Sequence, residues 1–257
     1  MRTEPFGPDE LGCDAMLGGR VRLWQPIRGY RAGTDPVLLA ASTAARPGQS
    51  VLELGCGAAP ALCCLGTRVP DLRLVGLELQ PGYAELARRN LAQNGLEGEI
   101  LTGDLACLPR ALRAESFDHV IANPPYFEAA RRIGAEAADR EIALAGQTPL
   151  ALWVQVAAKR LKPRGFATFI QRAERLPELL EACAAHLGAL ELLPLAPREG
   201  RPPRLVLVRA RKDGRAAFRF HAPVVLHAGD RHEEPGSRYT PPLAAVMQEG
   251  AGLPFPA

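Results

Sequence analysis

The sequence predicts an α/β fold, a mainly parallel sheet with helices on both faces. Short apolar runs suited to buried strands recur along the chain, and helical patterns separate them. Chemically distinctive residues fall directly after the runs. Strands that alternate with helices are joined by crossovers, so they lie parallel and are covered on both sides. Sheets of this kind bind ligands beyond the carboxyl ends of their strands.

The apolar runs lie at 50–54, 72–77, 99–101, 119–122, 166–170 and 205–208. Between them, 81–94 places Tyr83, Leu86, Ala87 and Leu91 at helical spacing and stops at Asn94-Gly95. Segments 149–161 and 177–187 each begin with proline, where the missing N–H does no harm. There is no internal repeat. Past Arg211 the rhythm weakens; 218–220 and 224–227 read as a short hairpin, and the Pro/Gly-rich tail as loosely ordered. The expected organisation is an N-terminal extension (1–48), the main domain (49–211) and a C-terminal extension (212–257).

A chain of 257 residues, 47% hydrophobic and 23% charged, buries a sizeable core, which excludes disorder as its main state. No run approaches the roughly 18 apolar residues of a membrane span. The polar, acidic start lacks the apolar core of a secretory signal, so a cytoplasmic protein without membrane contact is expected. The six cysteines form no CxxC pair, which argues against a zinc site or a disulfide framework; they read as core filler. Net charge is only +3, but eight basic residues cluster from Arg198 to Arg219, Arg204 among them, and four arginines from Arg20 to Arg31. Either run alone reads as a solvated face; together they point to a polyanion.

The first run leads into Val51-Leu-Glu-Leu-Gly-Cys-Gly-Ala-Ala-Pro. Gly55 and Gly57 permit a tight turn and close backbone approach to a ligand. Ala59 stands where a dinucleotide fingerprint has its third glycine, so that reading fails. Glu53 before the glycines would repel a pyrophosphate but suits a cationic amino group. Glu78 ends the second run, 21 residues after Gly57, where this fold class puts an acid on ribose hydroxyls. Asp104 follows the third and suits an adenine amino group. Any one acid reads as a solvated strand end; three in succession read as a site.

The fourth run leads into Asn123-Pro-Pro-Tyr-Phe. Two prolines would end any strand. An asparagine before them and aromatics after them have a chemical reason. An aromatic amine is a poor nucleophile because its lone pair is delocalised; the Asn123 side-chain oxygen and Pro124 carbonyl accept from that amine and favour its tetrahedral form. Tyr126 and Phe127 offer a π-face to an unstacked base. Neither a metal nor a general base is required.

Together VLELGCG, Glu78, Gly103-Asp104 and NPPYF resemble class I (Rossmann-like) S-adenosyl-L-methionine (SAM)-dependent amino-methyltransferases. The segment from Gly19 through Gly-Tyr-Arg-Ala-Gly-Thr-Asp-Pro-Val-Leu-Leu-Ala is similar to the N-terminal signature of the bacterial tRNA(Val) adenine-N6 methyltransferases. The resemblance runs from about Leu17 to Val208. It implies a seven-stranded mostly parallel sheet, SAM as cofactor, S-adenosyl-L-homocysteine as product, and tRNA as partner, methylated on the adenine beside the anticodon. It also implies that Arg31, Gly33, Thr34 and Asp35 border the methionine pocket, with Asn123 at the sulfonium. On the residues alone, Thr34 or Asp35 is a helix cap. Arg140 falls in an expected substrate-side loop.

Alternatives are the same transfer to an rRNA base or a protein glutamine amide, and a non-catalytic RNA-binding protein. Too little chain precedes the first run for a helical substrate domain. An intact Asn-Pro-Pro-Tyr and Glu78 oppose the non-catalytic reading.

Overall fold

The computed structural model describes residues 2–29, 31–126, 148–229 and 239–256. Strands β1 (Leu11–Met16) and β2 (Val21–Pro26) form an antiparallel hairpin. Then come α1 (Asp35–Ser42), β3 (Ser50–Leu54), α2 (Pro60–Arg68), β4 (Arg73–Glu78), α3 (Pro81–Gln93), β5 (Gly98–Thr102), α4 (Arg110–Arg113) and β6 (Phe117–Ala122). Next are α5 (Leu150–Arg160), β7 (Leu161–Arg172), α6 (Leu176–His186), β8 (Gly188–Ala196) and β9 (Leu205–Arg211). Two-residue strands β10 (Arg219–Phe220) and β11 (Val224–Val225) and helix α7 (Pro241–Glu249) complete the described chain. None of its helices is long and apolar enough to cross a membrane.

The main sheet runs β10-β8-β9-β7-β6-β3-β4-β5, with β11 also on β8. Strands β3 to β7 are parallel, and β9 is antiparallel to both β7 and β8. The seven long strands match the expected sheet, and two short ones extend it. Strand β3 is buried throughout. Its Val51 joins a core with α1, α2 and α3, whereas Leu52 and Leu54 join a core with α5 and α6. That alternation is the period of a strand covered on both faces.

Three expectations need correction. Residues 218–220 and 224–227 do not form a hairpin: β10 and β11 each pair in parallel with β8. The tail is not loose across 239–256: Leu243, Val246, Leu253 and Phe255 are buried, and the Leu253 N–H donates to the Ala41 carbonyl at 2.8 Å. Thr34 occupies the N-cap of α1 without making a side-chain cap bond.

Strand β8 escaped the sequence reading because leucines dominate it and Pro194 interrupts it. The proline is tolerated because β10 registers with Glu191 and Leu192, and β11 with Leu195 and Ala196. Pro194 falls in the gap, where an N–H toward that side would have no partner.

The hairpin is fixed to α3 by two asparagines one turn apart. Asn90 accepts from the Trp24 N–H (2.8 Å) and donates to the Trp24 and Ala58 carbonyls (3.0 and 2.9 Å). Asn94 accepts from the Arg22 N–H and donates to its carbonyl, both at 2.8 Å. The helical rise over four residues, about 6 Å, approximates the two-residue rise of a strand. Two side-chain amides therefore serve the edge of β2 as a neighbouring strand would. Asn90 is fully buried, and its loss strands three backbone groups. Asn90→Ala should lower unfolding stability by about 2–4 kcal/mol, with Asn90→Asp also destabilising because a carboxylate cannot donate to the two carbonyls. Urea denaturation monitored by circular dichroism measures both.

Candidate active site

The register of the parallel strands sets the site. Leu54 pairs with Leu77 and with Ala122, and Glu78 with Thr102, so four strands end at nearly one level. Residues at and just past these ends converge on a cavity of about 250 Å³. Glu53, Gly55, Gly57, Glu78, Asp104, Asn123, Pro124 and Tyr126 all line it. Residues the sequence reading did not single out line it as well, among them Pro36, Gln80, Tyr83 and Trp153. Tyr83 and Trp153 carry only a core-like helical signal, which hid them.

Gly55 has φ 64°, and a Cβ there would lie 2.5 Å from the Trp153 ring, so glycine is required on both counts. Gly57 has φ 55°, and its Cβ would point into open space, leaving the backbone approachable by a ligand. Ala59 adopts the left-handed conformation (φ 60°, ψ 38°) that the commoner glycine would take without strain. The substitution therefore preserves the turn's shape.

Glu78 closes this turn. Its carboxylate accepts from the Gly57 N–H and the Gln80 N–H, each at 2.9 Å, which ties the end of β4 to the loop after β3. Burial raises its pKa, against the pull of the Gln80, Gly57 and Leu79 amides. Glu53 lies deeper. Burial pushes its carboxyl well above the usual range; the Leu62 N–H opposes this and the Glu78 charge adds to it. The Glu53 Oε2 is buried without a hydrogen-bond partner among the described residues, which suits a cationic ligand group. Asp104 is exposed, and its Oδ1 accepts from the Ala106 N–H at 2.8 Å.

The Asn-Pro-Pro-Tyr segment leaves β6 beside this turn. The Asn123 Oδ1 is buried and has no hydrogen-bond partner among the described residues. Two prolines supply no N–H, and their carbonyls are held from one side. Gln171 donates to the Pro124 carbonyl at 3.3 Å, and Arg175 to the Pro125 carbonyl at 3.0 Å. The Tyr126 hydroxyl donates to Asp35 Oδ2, and the Arg172 guanidinium lies 5.2 Å from the Tyr126 ring centroid. Gln171 and Arg175 had no motif signal; they stand at the carboxyl end of β7, level with the site.

The N-terminal signature divides. Arg31 and Gly33 line a separate, more open cavity with Asp14 and Gln25, and Arg31 pairs with Asp14 at 2.6 Å. Thr34 and Asp35 line neither cavity; Pro36 lines the first. These placements do not bring Arg31, Gly33 and Thr34 together with the glycine turn. Phe127 and Arg140 lie outside the described residues.

The basic run is not one face. Arg209 and Arg219 pair with buried Glu191 at 2.6 and 2.7 Å, and Arg198 donates to the Ala228 and Gly229 carbonyls. Lys212 donates to the Leu161 carbonyl. Arg201 and Arg204 are exposed between β8 and β9; the Arg204 carbonyl accepts from the Ala173 N–H, at the carboxyl end of β7. Arg215 is exposed at the opposite end of the sheet, near the start of β7.

The chain is similar in sequence and fold to known proteins. A tRNA1(Val) (adenine(37)-N6)-methyltransferase of Porphyromonas gingivalis is 28% identical over 219 residues, covering 80% of this chain and 84% of its own length. A ribosomal RNA small subunit methyltransferase C of Stutzerimonas stutzeri is 40% identical over 83 residues, 32% of this chain and 24% of its own. A crystal structure described as a predicted O-methyltransferase from Agrobacterium tumefaciens superposes with TM-score 0.68 at 27% identity, covering 87% of this chain and all of that one. The T. thermophilus 16S rRNA N2 G1207 methyltransferase, at 20% identity and TM-score 0.52, shares the fold. The family model for the methyltransferase small domain matches residues 32–183, which contain the glycine turn, Glu78, Asp104 and Asn-Pro-Pro-Tyr, and the chain belongs to that family.

Proposed function

We propose that this chain transfers a methyl group from SAM to the exocyclic N6 of an adenine in tRNA, releasing S-adenosyl-L-homocysteine and, from the methylated nitrogen, a proton to solvent. One observation carries the reading: Asn123, whose buried Oδ1 has no partner among the described residues, lines the cavity that also holds the glycine turn and the buried Glu53 and Glu78. The kinship to tRNA(Val) adenine-N6 enzymes supports the choice of acceptor.

The cavity fits the cofactor. Glu53 offers an unpaired carboxylate oxygen to its amino group, Gly57 leaves its backbone open, and Glu78 and Asp104 offer acceptors to the ribose and adenine. When bound, SAM supplies an electrophilic methyl on a good leaving group. The chain's own residues prepare the acceptor nitrogen. The Asn123 Oδ1 and the Pro124 carbonyl accept its two N–H groups, which draws the lone pair out of conjugation. As that nitrogen gains positive charge, both contacts strengthen, so they stabilise the transition state more than the ground state. Gln171 donates to the Pro124 carbonyl and fixes its direction, leaving that oxygen's second lone pair for the substrate. Tyr126 supplies the surface on which the base is stacked.

Asn123→Ala is expected to lower kcat about a hundredfold or more while SAM affinity stays near wild type. Single-turnover transfer to unmodified tRNA, with nucleoside mass spectrometry, measures this and identifies the product. N2-methylguanosine in rRNA instead of N6-methyladenosine in tRNA would replace the substrate assignment. A fully active Asn123→Ala would remove the mechanism.

A second expectation concerns protons. A cationic group beside Glu53 favours its ionised form, so binding releases a proton wherever free Glu53 is protonated. SAM affinity is therefore fully present above the raised pKa of Glu53 and falls as pH drops below it. Calorimetry in buffers of different ionisation heat detects the release, and Glu53→Gln should abolish it.

RNA contact is expected at the end of the sheet that holds the cavity. Replacing Arg201 and Arg204 with alanine should reduce the salt slope of tRNA binding by about two. Arg215→Ala, at the far end, should leave the slope unchanged. Equal slopes for all three proteins would return these arginines to the solvated surface.

A further inference from the structure

The Asn-Pro-Pro-Tyr segment is tethered from outside the cavity at three successive residues. Gln171 of β7 holds the Pro124 carbonyl, Arg175 holds the Pro125 carbonyl, and Asp35 of α1 holds the Tyr126 hydroxyl. Of the three, Asp35 comes from the other side of the sheet, 91 residues earlier in the chain. An acid in the first turn of a helix has an ordinary reason to exist, since it meets the positive end of the helix dipole. That reason does not explain where its carboxylate goes. Asp35 does not line the cavity, but Pro36 beside it and Tyr126, its hydrogen-bond partner, both do. Its reach into the site therefore runs through the tyrosine.

A phenol on a flexible χ1–χ2 pair has no fixed plane. With its hydroxyl held by a carboxylate and the Arg172 guanidinium near its ring, rotation of Tyr126 is restricted at both ends of the side chain. A base stacked against a fixed ring has its amino group delivered to a fixed place. A tether of this kind acts by orientation, and misplacement of a reacting group by about an ångström costs substantial rate.

We infer that Asp35 is a positioning residue for the acceptor base, acting through the Tyr126 hydroxyl, rather than a ligand of the cofactor. The inference rests on the reading of Tyr126 as the stacking surface. It predicts that two variants in different elements behave as one. Tyr126→Phe keeps the ring and loses the tether; Asp35→Ala keeps the tyrosine and loses the same bond.

The experiment is a double-mutant cycle on the full chain, with unmodified tRNA and with a transcript carrying 2-aminopurine at the methylated position. Each single variant should lower kcat/KM for tRNA by about tenfold or more, as for a hydrogen bond to a charged group. The double variant should be no worse than the poorer single, because both remove one interaction. With S-adenosyl-L-homocysteine present, both singles should change the 2-aminopurine fluorescence produced by stacking, by similar amounts. S-adenosyl-L-homocysteine affinity should stay within about twofold of wild type in each, as for a site that shares no partner with the change. Asp35→Asn, which keeps an acceptor oxygen, should recover part of the loss.

Multiplying effects in the double variant would overturn the inference. So would an Asp35→Ala protein that loses cofactor affinity tenfold while Tyr126→Phe does not, which would make Asp35 a cofactor ligand. If Asp35→Ala fails to fold, Tyr126→Phe alone decides: wild-type turnover and stacking would sink the assignment. A wild-type protein that methylates no tRNA adenine strikes the underlying reading as well, and so is distinguished from failure of the cycle in an active enzyme.

Discussion

Strand β3 is hydrogen-bonded to parallel neighbours on both edges and covered by helices on both faces. A strand so enclosed has no freedom of register, because a slip by one residue would carry Val51 and Glu53 into the opposite core and Leu52 and Leu54 out of theirs. Its end is consequently fixed against the ends of β4 and β6. The glycine turn and Asn123 lie directly past two of those ends, and Glu78 is the last residue of the third. Their proximity is a property of the ladder, and the bond from the Gly57 N–H to Glu78 then secures it.

The same enclosure loads the site with electrostatic cost. Glu53 and Glu78 are 3% and 7% exposed, and burial raises the proton affinity of each; for Glu53 the Glu78 charge raises it further. Buried acceptors without partners among the described residues, such as Asn123 Oδ1, oppose folding by roughly 1–3 kcal/mol each. A sequence optimised for stability alone would fill these positions with apolar groups. Their persistence at one cavity is the physical sign of a ligand whose donors and cation complete them. Glu78 differs in that its two oxygens already hold backbone amides, so it shapes the turn as well as facing the cavity.

Where the backbone alone determines position, the sequence was readable. Strand β3 has the bounds of its apolar run, and Asp104 and Asn-Pro-Pro-Tyr follow their strands as expected, while Glu53 lies within β3 and Glu78 is the last residue of β4. What was hidden depended on long-range pairing or on side-chain direction. Strand β2 alternates Val21, Leu23 and Gln25 inward, but it pairs with β1 on one edge and meets helix asparagines on the other, rather than joining the main sheet. Folding turns five of the eight cations in the basic run toward Glu191 or backbone carbonyls. Arg31 follows Asp14 into a neighbouring cavity, a pairing that spacing could not reveal. Gln171 has no motif because its role is set by what it touches; Asp35 belongs to the N-terminal signature, but its bond to the Tyr126 hydroxyl could not be read from that signature.

The asparagine ladder of α3 has a consequence for how this protein behaves among copies of itself. An isolated two-stranded hairpin presents edges that invite another chain to add a strand. Here Arg22 and Trp24 of β2 have both their N–H and carbonyl groups occupied by Asn94 and Asn90, so that stretch of the edge has no donors or acceptors left to offer. Because these amides are side chains on a helix, they cannot propagate the pairing as a true strand would. The hairpin is closed off by its own helix, and the chain can carry a small detached sheet without offering that edge as a template for polymerisation.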